Sequence, residues 1–295
     1  MNHPTLKSLT LGIGLFFTLP LVYANSSFPS SSDGTLYINK SKTRKVAPVK
    51  YGFHYEEIGM MGEGALHAEL IRNRSFEEAT PPAGLSVKNG LYENVPAPRV
   101  KEKKVFQADP LIGWTTYPLS YTPVFISRTD ENPMSGENKY SMLVNVTEDI
   151  ANHSDALILN RGYYGMNLKT DTSYRLSLFL KNRNYSAPLR VFLVDEWGQR
   201  VSNVIEVNVG NRDWTKYTGE LKPEKNVRRG MFAIQPMSKG QFQIDVVSLF
   251  PSDTWNDGKS VFRKDIVQNL KEFSPSFIRF PGGCIVHGVN EETMY

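Results

Sequence analysis

The chain is poor in cysteine, in charge of one sign and in long apolar runs. Its single cysteine, Cys284, excludes an internal disulfide framework and a metal site built from several thiolates. A net charge of +4 with scattered lysines and arginines gives no basic stripe, so nucleic acid is not expected as a partner. The only long apolar run is at the start, Leu9 to Val22. It is short for a membrane span and is interrupted by Pro20. With Lys7 before it and Val22-Tyr23-Ala24 after it, the run has the form of a signal peptide over 1–24, cleaved after Ala24. The expectation is a secreted or periplasmic protein with no stable membrane insertion after cleavage. No cysteine stands near that site, which excludes a bacterial lipoprotein anchor.

What is present is a globular composition, 40% hydrophobic and 22% charged over 295 residues, with 22 glycines and 18 prolines to punctuate it. Residues 25–34 read as a flexible leader rich in Ser and Asn. Thr35 to Ile38 form a short candidate strand. Tyr51 to Glu57 form a second, and its alternation places Tyr51, Phe53 and Tyr55 on one face and Gly52, His54 and Glu56 on the other. Leu66, Leu70 and Ile71 fit a short helix over 65–72. Asn73 and Arg74 then hold the loop that follows.

From about residue 81 prolines mark a border, and the pattern then becomes all strand. Candidate runs lie at 121–128, 139–147, 154–160, 172–181, 188–195, 201–208, 213–221, 229–236 and 241–250. Tyr174, Leu176, Leu178 and Leu180 are typical of their period-two alternation. This many short strands predicts a β-sandwich. After Pro251, Phe262, Ile266, Leu270 and Phe273 recur at helical spacing, which predicts a helix over 260–273 capped by Ser260. A strand over 276–280 follows and ends in Pro281-Gly282-Gly283-Cys284. The layout is a βα unit with a sandwich inserted in it. The segments are 35–80, holding the first barrel strand, 81–250, the sandwich, and 251–295, a helix and a second barrel strand.

Two stretches carry a specific resemblance. Tyr51-Gly52-Phe53-His54-Tyr55-Glu56-Glu57-Ile58 with Ala68 to Glu77, and Phe277-Ile278-Arg279-Phe280-Pro281-Gly282-Gly283-Cys284, resemble the first two signatures of α-L-arabinofuranosidases of glycoside hydrolase family 51. Gly162-Tyr163-Tyr164-Gly165-Met166 and Tyr174 to Ser177 resemble strands of the carbohydrate-binding-module-like jelly-roll inserted in the family's secreted members. The resemblance implies a multidomain α/β and all-β protein: the start of a (β/α)8 barrel, incomplete in this chain, with the sandwich inserted. It implies retaining removal of terminal non-reducing α-L-arabinofuranosyl residues from arabinan, arabinoxylan and similar polymers, without cofactor or metal.

On the same basis Glu56, Gly283 and Cys284 bind substrate, and His54, Arg279 and Asn73 support them. A retaining glycosidase needs two carboxyl groups about 5 Å apart. The resemblance puts both glutamates C-terminal of Tyr295, so no catalytic residue is expected in the chain, and the fragment alone is expected to be inactive. Its one Asn-Glu pair, Asn290-Glu291, falls too early and reads as loop. Trp114, Tyr163, Tyr164, Trp197 and Trp214 are either sandwich core or sugar-stacking rings. The alternative reading is a secreted, non-catalytic carbohydrate-binding protein. The polymer preference and the oligomeric state are left open.

Overall fold

The computed structural model describes residues 38–39, 41, 44–45, 51–56, 60–78, 86–88, 91–93, 105–107, 109–118, 121–150 and 155–283. The expected signal peptide, the leader, Glu57, Cys284 and Asn290-Glu291 lie outside them, as does nearly all of the expected strand at 35–38. The chain divides into two compact units, Met1–Ala47 and Pro48–Tyr295, and every described strand and helix belongs to the second.

Its elements in chain order begin with β1 (Phe53–His54), a single wide helical turn (Gly62–Leu66) and three short strands, β2 (Ser86–Lys88), β3 (Leu91–Glu93) and β4 (Val105–Gln107). Then come β5 (Trp114–Tyr117), β6 (Val124–Thr129), β7 (Ser141–Val146), β8 (Leu157–Asn160), β9 (Met166–Leu168), β10 (Tyr174–Asn182) and β11 (Pro188–Val194). The remainder are β12 (Ile205–Asn208), β13 (Thr215–Leu221), β14 (Val227–Gln235), β15 (Gly240–Pro251), helix α1 (Lys264–Glu272) and β16 (Ile278–Arg279).

Two antiparallel sheets make the bulk of the molecule. One runs β13-β10-β15-β7-β6 and the other β12-β11-β14-β8-β5, with β9 added beside β14. Each of the nine expected strand runs overlaps one of these strands, and the mostly β architecture is as the alternation predicts. On β10, Tyr174, Leu176, Leu178 and Leu180 are buried, whereas Arg175 is exposed. They meet Val191, Leu193, Phe232 and Ile234 of the other sheet in one shared core. The six-stranded sheet is also buried on its second face, where Leu157, Leu159, Phe192, Val194, Met231 and Ala233 form a separate cluster. That double burial is why β8, β11 and β14 read as near-continuous apolar runs rather than as alternating ones. The sequence reading missed β5, β9 and the small sheet β2-β3-β4, whose strands of three or four residues are too short to show a period.

The helix expected over 65–72 is not there. The chain makes one wide turn, with Leu66 N bonded to Met61 O and His67 N to Gly62 O, and then extends. Beyond Ser141 strand β7 ends, and the far half of β15 has a free side. Residues 68–76 fill it, with Leu70 N donating to Leu249 O and Val247 N to Arg74 O. Glu69 fixes this strap from inside. Its carboxylate is 4% exposed and accepts from Ile71 N at 3.0 Å, Leu249 N at 2.8 Å and the Ser248 hydroxyl at 2.6 Å. Burial pushes its pKa up, against the pull of those bonds and of the Arg74 charge. On the other side the side-chain amide of Asn160 imitates a strand partner. Its Nδ2 donates to Arg72 O at 3.0 Å and its Oδ1 accepts from Arg72 N at 3.3 Å. Ile71 and Phe76 thereby enter the sandwich core at 0% exposure. Tertiary bonds outweigh the modest helical preference of the segment.

Helix α1 is shorter than the expected 260–273. The backbone of Val261 to Arg263 is committed elsewhere: Ala68 N donates to Val261 O, Arg263 N to Leu66 O, and His67 bridges Phe262. Ser260 does not cap the helix, because its Oγ accepts from Phe262 N at 3.2 Å instead. The apolar stripe is present, but no residue of α1 is buried.

Candidate functional site

Strands β1 and β16 pair in parallel, with Phe53 opposite Ile278 and His54 opposite Arg279. The ladder continues on either side through Phe53 N to Phe277 O, Tyr55 N to Arg279 O and Ser276 N to Tyr51 O, all 2.9–3.0 Å. The Gly52–Glu56 and Phe277–Gly283 stretches, more than two hundred residues apart in sequence, are therefore neighbours in space.

Alternation sorts the side chains as the sequence suggests. On one face Phe53 stands edge-on to Phe273 at 5.8 Å, Tyr55 lies against Phe280 at 5.6 Å, and the Tyr51 hydroxyl donates to Phe273 O. On the other face Gly52 leaves room for its neighbour. A Cβ there would lie 2.5 Å from Phe277 O and 2.6 Å from the Phe277 ring. His54 and Glu56 follow on that face, with His54 Nε2 3.9 Å from Glu56 Oε2. That is an ion-pair distance if the imidazole is protonated and too long for a hydrogen bond. The Glu56 side chain is 17% exposed and that of His54 44%, so the carboxylate is sheltered and the imidazole forms its open rim.

Gly282 closes the group. Its φ of +135° is backbone that side-chain-bearing residues rarely adopt, and a Cβ there would lie 2.5 Å from Glu56 Cγ. The glycine is thus what lets the loop after β16 rest on the Glu56 side chain. Gly283 comes next, where a Cβ would lie 3.6 Å from His54 Cε1 and 3.9 Å from Glu56 Oε2. A carboxylate, an imidazole, the buried Gly282 and the half-buried Gly283 converge at adjacent strand ends. Such a group can accept hydroxyl hydrogen bonds and allow a flat ligand to approach the main chain closely.

Of the expected site residues, Glu56, His54 and Gly283 are brought together here. Arg279 sits beside His54 in register and is exposed. Cys284 lies outside the described residues. Asn73 is elsewhere, at a left-handed φ of 51° in the strap, where its Nδ2 donates to Pro110 O and its Oδ1 accepts from Glu78 N. Its backbone carbonyl takes the indole N–H of Trp114 at 3.1 Å. Asn73 therefore ties strap to sandwich. Among the described residues no group of three or more His, Cys, Asp or Glu side chains could hold a metal ion, and no helix is long and apolar enough to cross a membrane.

The aromatic candidates divide. Trp114 is core, 6% exposed between Phe76 and Phe232. Trp214 is anchored by its indole N–H on Asn132 O. The Tyr163 hydroxyl donates to Glu63 at 3.3 Å. Tyr164 and Trp197 are 79% and 68% exposed. One feature the sequence reading did not single out is the exposure around β16. Phe273, Phe277, Ile278 and Phe280 are 52–70% exposed.

No family model matches the chain. Among curated proteins it is 26% identical over 250 residues to α-L-arabinofuranosidase 1 of Arabidopsis thaliana, covering 83% of this chain and 33% of that protein. It is 26% identical over 249 residues to the extracellular exo-α-L-arabinofuranosidase of Streptomyces chartreusis, covering 84% and 25%. It is 27% identical over 263 residues to α-L-arabinofuranosidase 2 of Arabidopsis thaliana, covering 86% and 34%. The chain spans about a third or less of the length of these relatives. In structure it resembles an arabinose-bound GH51 α-L-arabinofuranosidase with a TM-score of 0.65 and 24% identity, over 84% of this chain and 36% of that one. The expected resemblance to α-L-arabinofuranosidases is thereby borne out, and the solved structure shares the fold.

Proposed function

We propose that this chain forms the N-terminal, substrate-positioning part of a secreted α-L-arabinofuranosidase. The enzyme removes terminal non-reducing arabinofuranosyl residues from plant polysaccharides such as arabinan and arabinoxylan. The carrying observation is the convergence of Glu56, His54, Gly282 and Gly283 on the paired ends of β1 and β16, in a chain similar to arabinofuranosidases over more than four-fifths of its length.

In this reading the Glu56 carboxylate accepts hydrogen bonds from sugar hydroxyls. Held at 17% exposure, it is partly shielded from competing water. The Gly282-Gly283 turn forms the floor, and Cys284, next in sequence, is given its substrate-binding role by the family resemblance alone. His54 forms the rim beside Glu56, and Arg279 stands next to His54 in the strand pair. The reaction is a double displacement with retention, which needs an acid/base and a nucleophile about 5 Å apart. We assign both to segments C-terminal of Tyr295, on barrel strands that pack against β16 and α1. The exposed Phe273, Phe277, Ile278 and Phe280 support this assignment, because a strand edge with no partner among the described residues and bare aromatic rings are what a barrel wall covers.

The test is arabinose release from a chromogenic α-L-arabinofuranoside by the product of the full reading frame, compared with residues 25–295 alone. Release by the former, none by the latter, and a kcat/KM fall of about 100-fold or more in Glu56→Gln are expected. A Glu56→Gln enzyme with unchanged kcat/KM overturns the role of Glu56. Absence of release by the full product overturns the activity.

A further inference from the structure

The chain holds a second arrangement of aromatic and charged groups that shares no residue with the Glu56 group. β11 ends in a tight turn, Asp195-Glu196-Trp197-Gly198. Asp195 builds it: Oδ1 accepts from Trp197 N at 3.1 Å and Gln199 N at 2.9 Å, and its backbone carbonyl accepts from Gly198 N. Oδ2 is paired with Lys225 Nζ at 3.1 Å. The turn is therefore rigid, and it presents an indole that is 68% exposed. Below the indole lies a cleft of about 460 Å³, lined by Asp195, Glu196, Trp197, Lys225, Arg228 and Arg229 among others.

The charges there do not cancel. Lys225 and Asp195 satisfy each other, which leaves Arg228 and Arg229 against Glu196. Both arginines are exposed, and neither makes an ion pair with any described residue. A second exposed aromatic ring is carried by a neighbouring loop. The loop Arg161–Gly165, closed by Gly165 N on Arg161 O, rests on Arg229, where a Cβ at Gly165 would lie 3.1 Å from the Arg229 Cα. That loop carries Tyr164, 79% exposed, and Arg161, exposed and likewise without an ion pair among the described residues. Trp197 thus shares one cleft with Arg228 and Arg229, and Tyr164 stands on the loop packed against Arg229.

We infer that this surface binds a polysaccharide bearing carboxylates, with Trp197 and Tyr164 stacking on sugar rings and Arg228 and Arg229 taking uronate groups. The C–H face of a pyranose suits a bare indole or phenol ring, whose exposure to water is otherwise unrewarded. A planar guanidinium matches a carboxylate in a two-pronged hydrogen bond, which a neutral glycan would not use. The choice of a polysaccharide rests on the function proposed above. The acidic character rests on the arginines alone.

The probes are 4-O-methylglucuronoxylan, the same polymer after reduction of its carboxyl groups, and duplex DNA, titrated calorimetrically into residues 25–295. The native polymer should bind about tenfold tighter than the reduced one, the worth of one charge-assisted bond. Arg228→Gln/Arg229→Gln should abolish that preference, and Trp197→Ala should weaken both polymers, with melting temperatures unchanged. Equal binding of the two polymers, or a preference that survives in the double variant, overturns the inference. Duplex DNA bound as tightly as the acidic xylan, and lost in the same double variant, overturns the polysaccharide assignment. Arabinose release is not read in this experiment. A failure here leaves the arabinofuranosidase reading standing, and a failure of release leaves the acidic preference measurable.

Discussion

Replacing Asp245 with asparagine should stabilise the sandwich above neutral pH and have little effect in acid. Asp245 lies on β15 beside Val246, which adopts a left-handed φ of 43°. The residue is 0% exposed. One carboxyl oxygen accepts from Val246 N at 2.7 Å, and the other has no partner. Burial drives its pKa from 3.8 up to about 7, the Glu77 charge adds to the rise, and the Val246 bond opposes it. The folded protein therefore holds this proton between about pH 4 and 7, where the unfolded chain has released it. The group's contribution is most favourable below pH 3.8 and is lost as pH rises through 7, because folding then requires either an ionised carboxylate in the interior or uptake of a proton. A rise of that size corresponds to at most roughly 4 kcal/mol at pH 8. Relaxation around the charge lowers this, so a difference of about 2 kcal/mol is expected. Urea denaturation of residues 25–295, followed by tryptophan fluorescence at pH 4.5, 6 and 8, measures it. Subtracting wild type from Asp245→Asn removes the titration of Glu69 and every other shared group. The difference should be about a quarter of its full size at pH 4.5, grow through pH 6 and level off above pH 7. A difference independent of pH would refute the reasoning.

Three further outcomes rest on single side chains. Glu69→Ala leaves the Ile71 and Leu249 amides without their carboxylate acceptor and should cost about 3 kcal/mol in urea denaturation, with Glu69→Gln costing less. Asn160→Leu removes the side-chain amide that pairs with the Arg72 backbone and should cost about 2 kcal/mol, with faster limited proteolysis within 68–76 as the signature. Gly282→Ala places a Cβ 2.5 Å from Glu56 Cγ at a φ of +135°. In the full reading-frame product it should lower kcat/KM by about 100-fold while the melting of the sandwich stays unchanged, and normal kinetics would show that Glu56 does not depend on this turn.

Much of this was readable in the residues. Tyr174, Leu176, Leu178 and Leu180 announce a strand with one face inward, because side chains alternate and only one face meets the core. Gly52 and Gly282 mark the two close approaches of the site. The rest was hidden where non-local bonds decide. Leu66, Leu70 and Ile71 have helical spacing, yet Glu69 reaches β15, and the resulting extended strap places Ile71 in the core. Val261 to Arg263 could extend α1, yet their backbone is bonded to Leu66 and Ala68. Residue type alone could not separate Trp114, packed between two phenylalanines, from Trp197, standing in solvent. Asp245 looks like any surface aspartate until its strand is placed in the sheet.

The bonds between Leu66–Ala68 and Val261–Arg263 also bear on how the chain reaches its native state. β1 and β16 are separated by about 220 residues, a span over which random encounter is slow. Once the sandwich has formed, it holds those two segments together as the neck of a closed loop. The chain still to be closed is then on the order of 30 residues, and the entropy of bringing β1 to β16 falls by about 2 kcal/mol. The parallel pair that carries Glu56 and Gly282 should accordingly form after the sandwich, and mutations that slow sandwich folding should delay assembly of the site by the same factor.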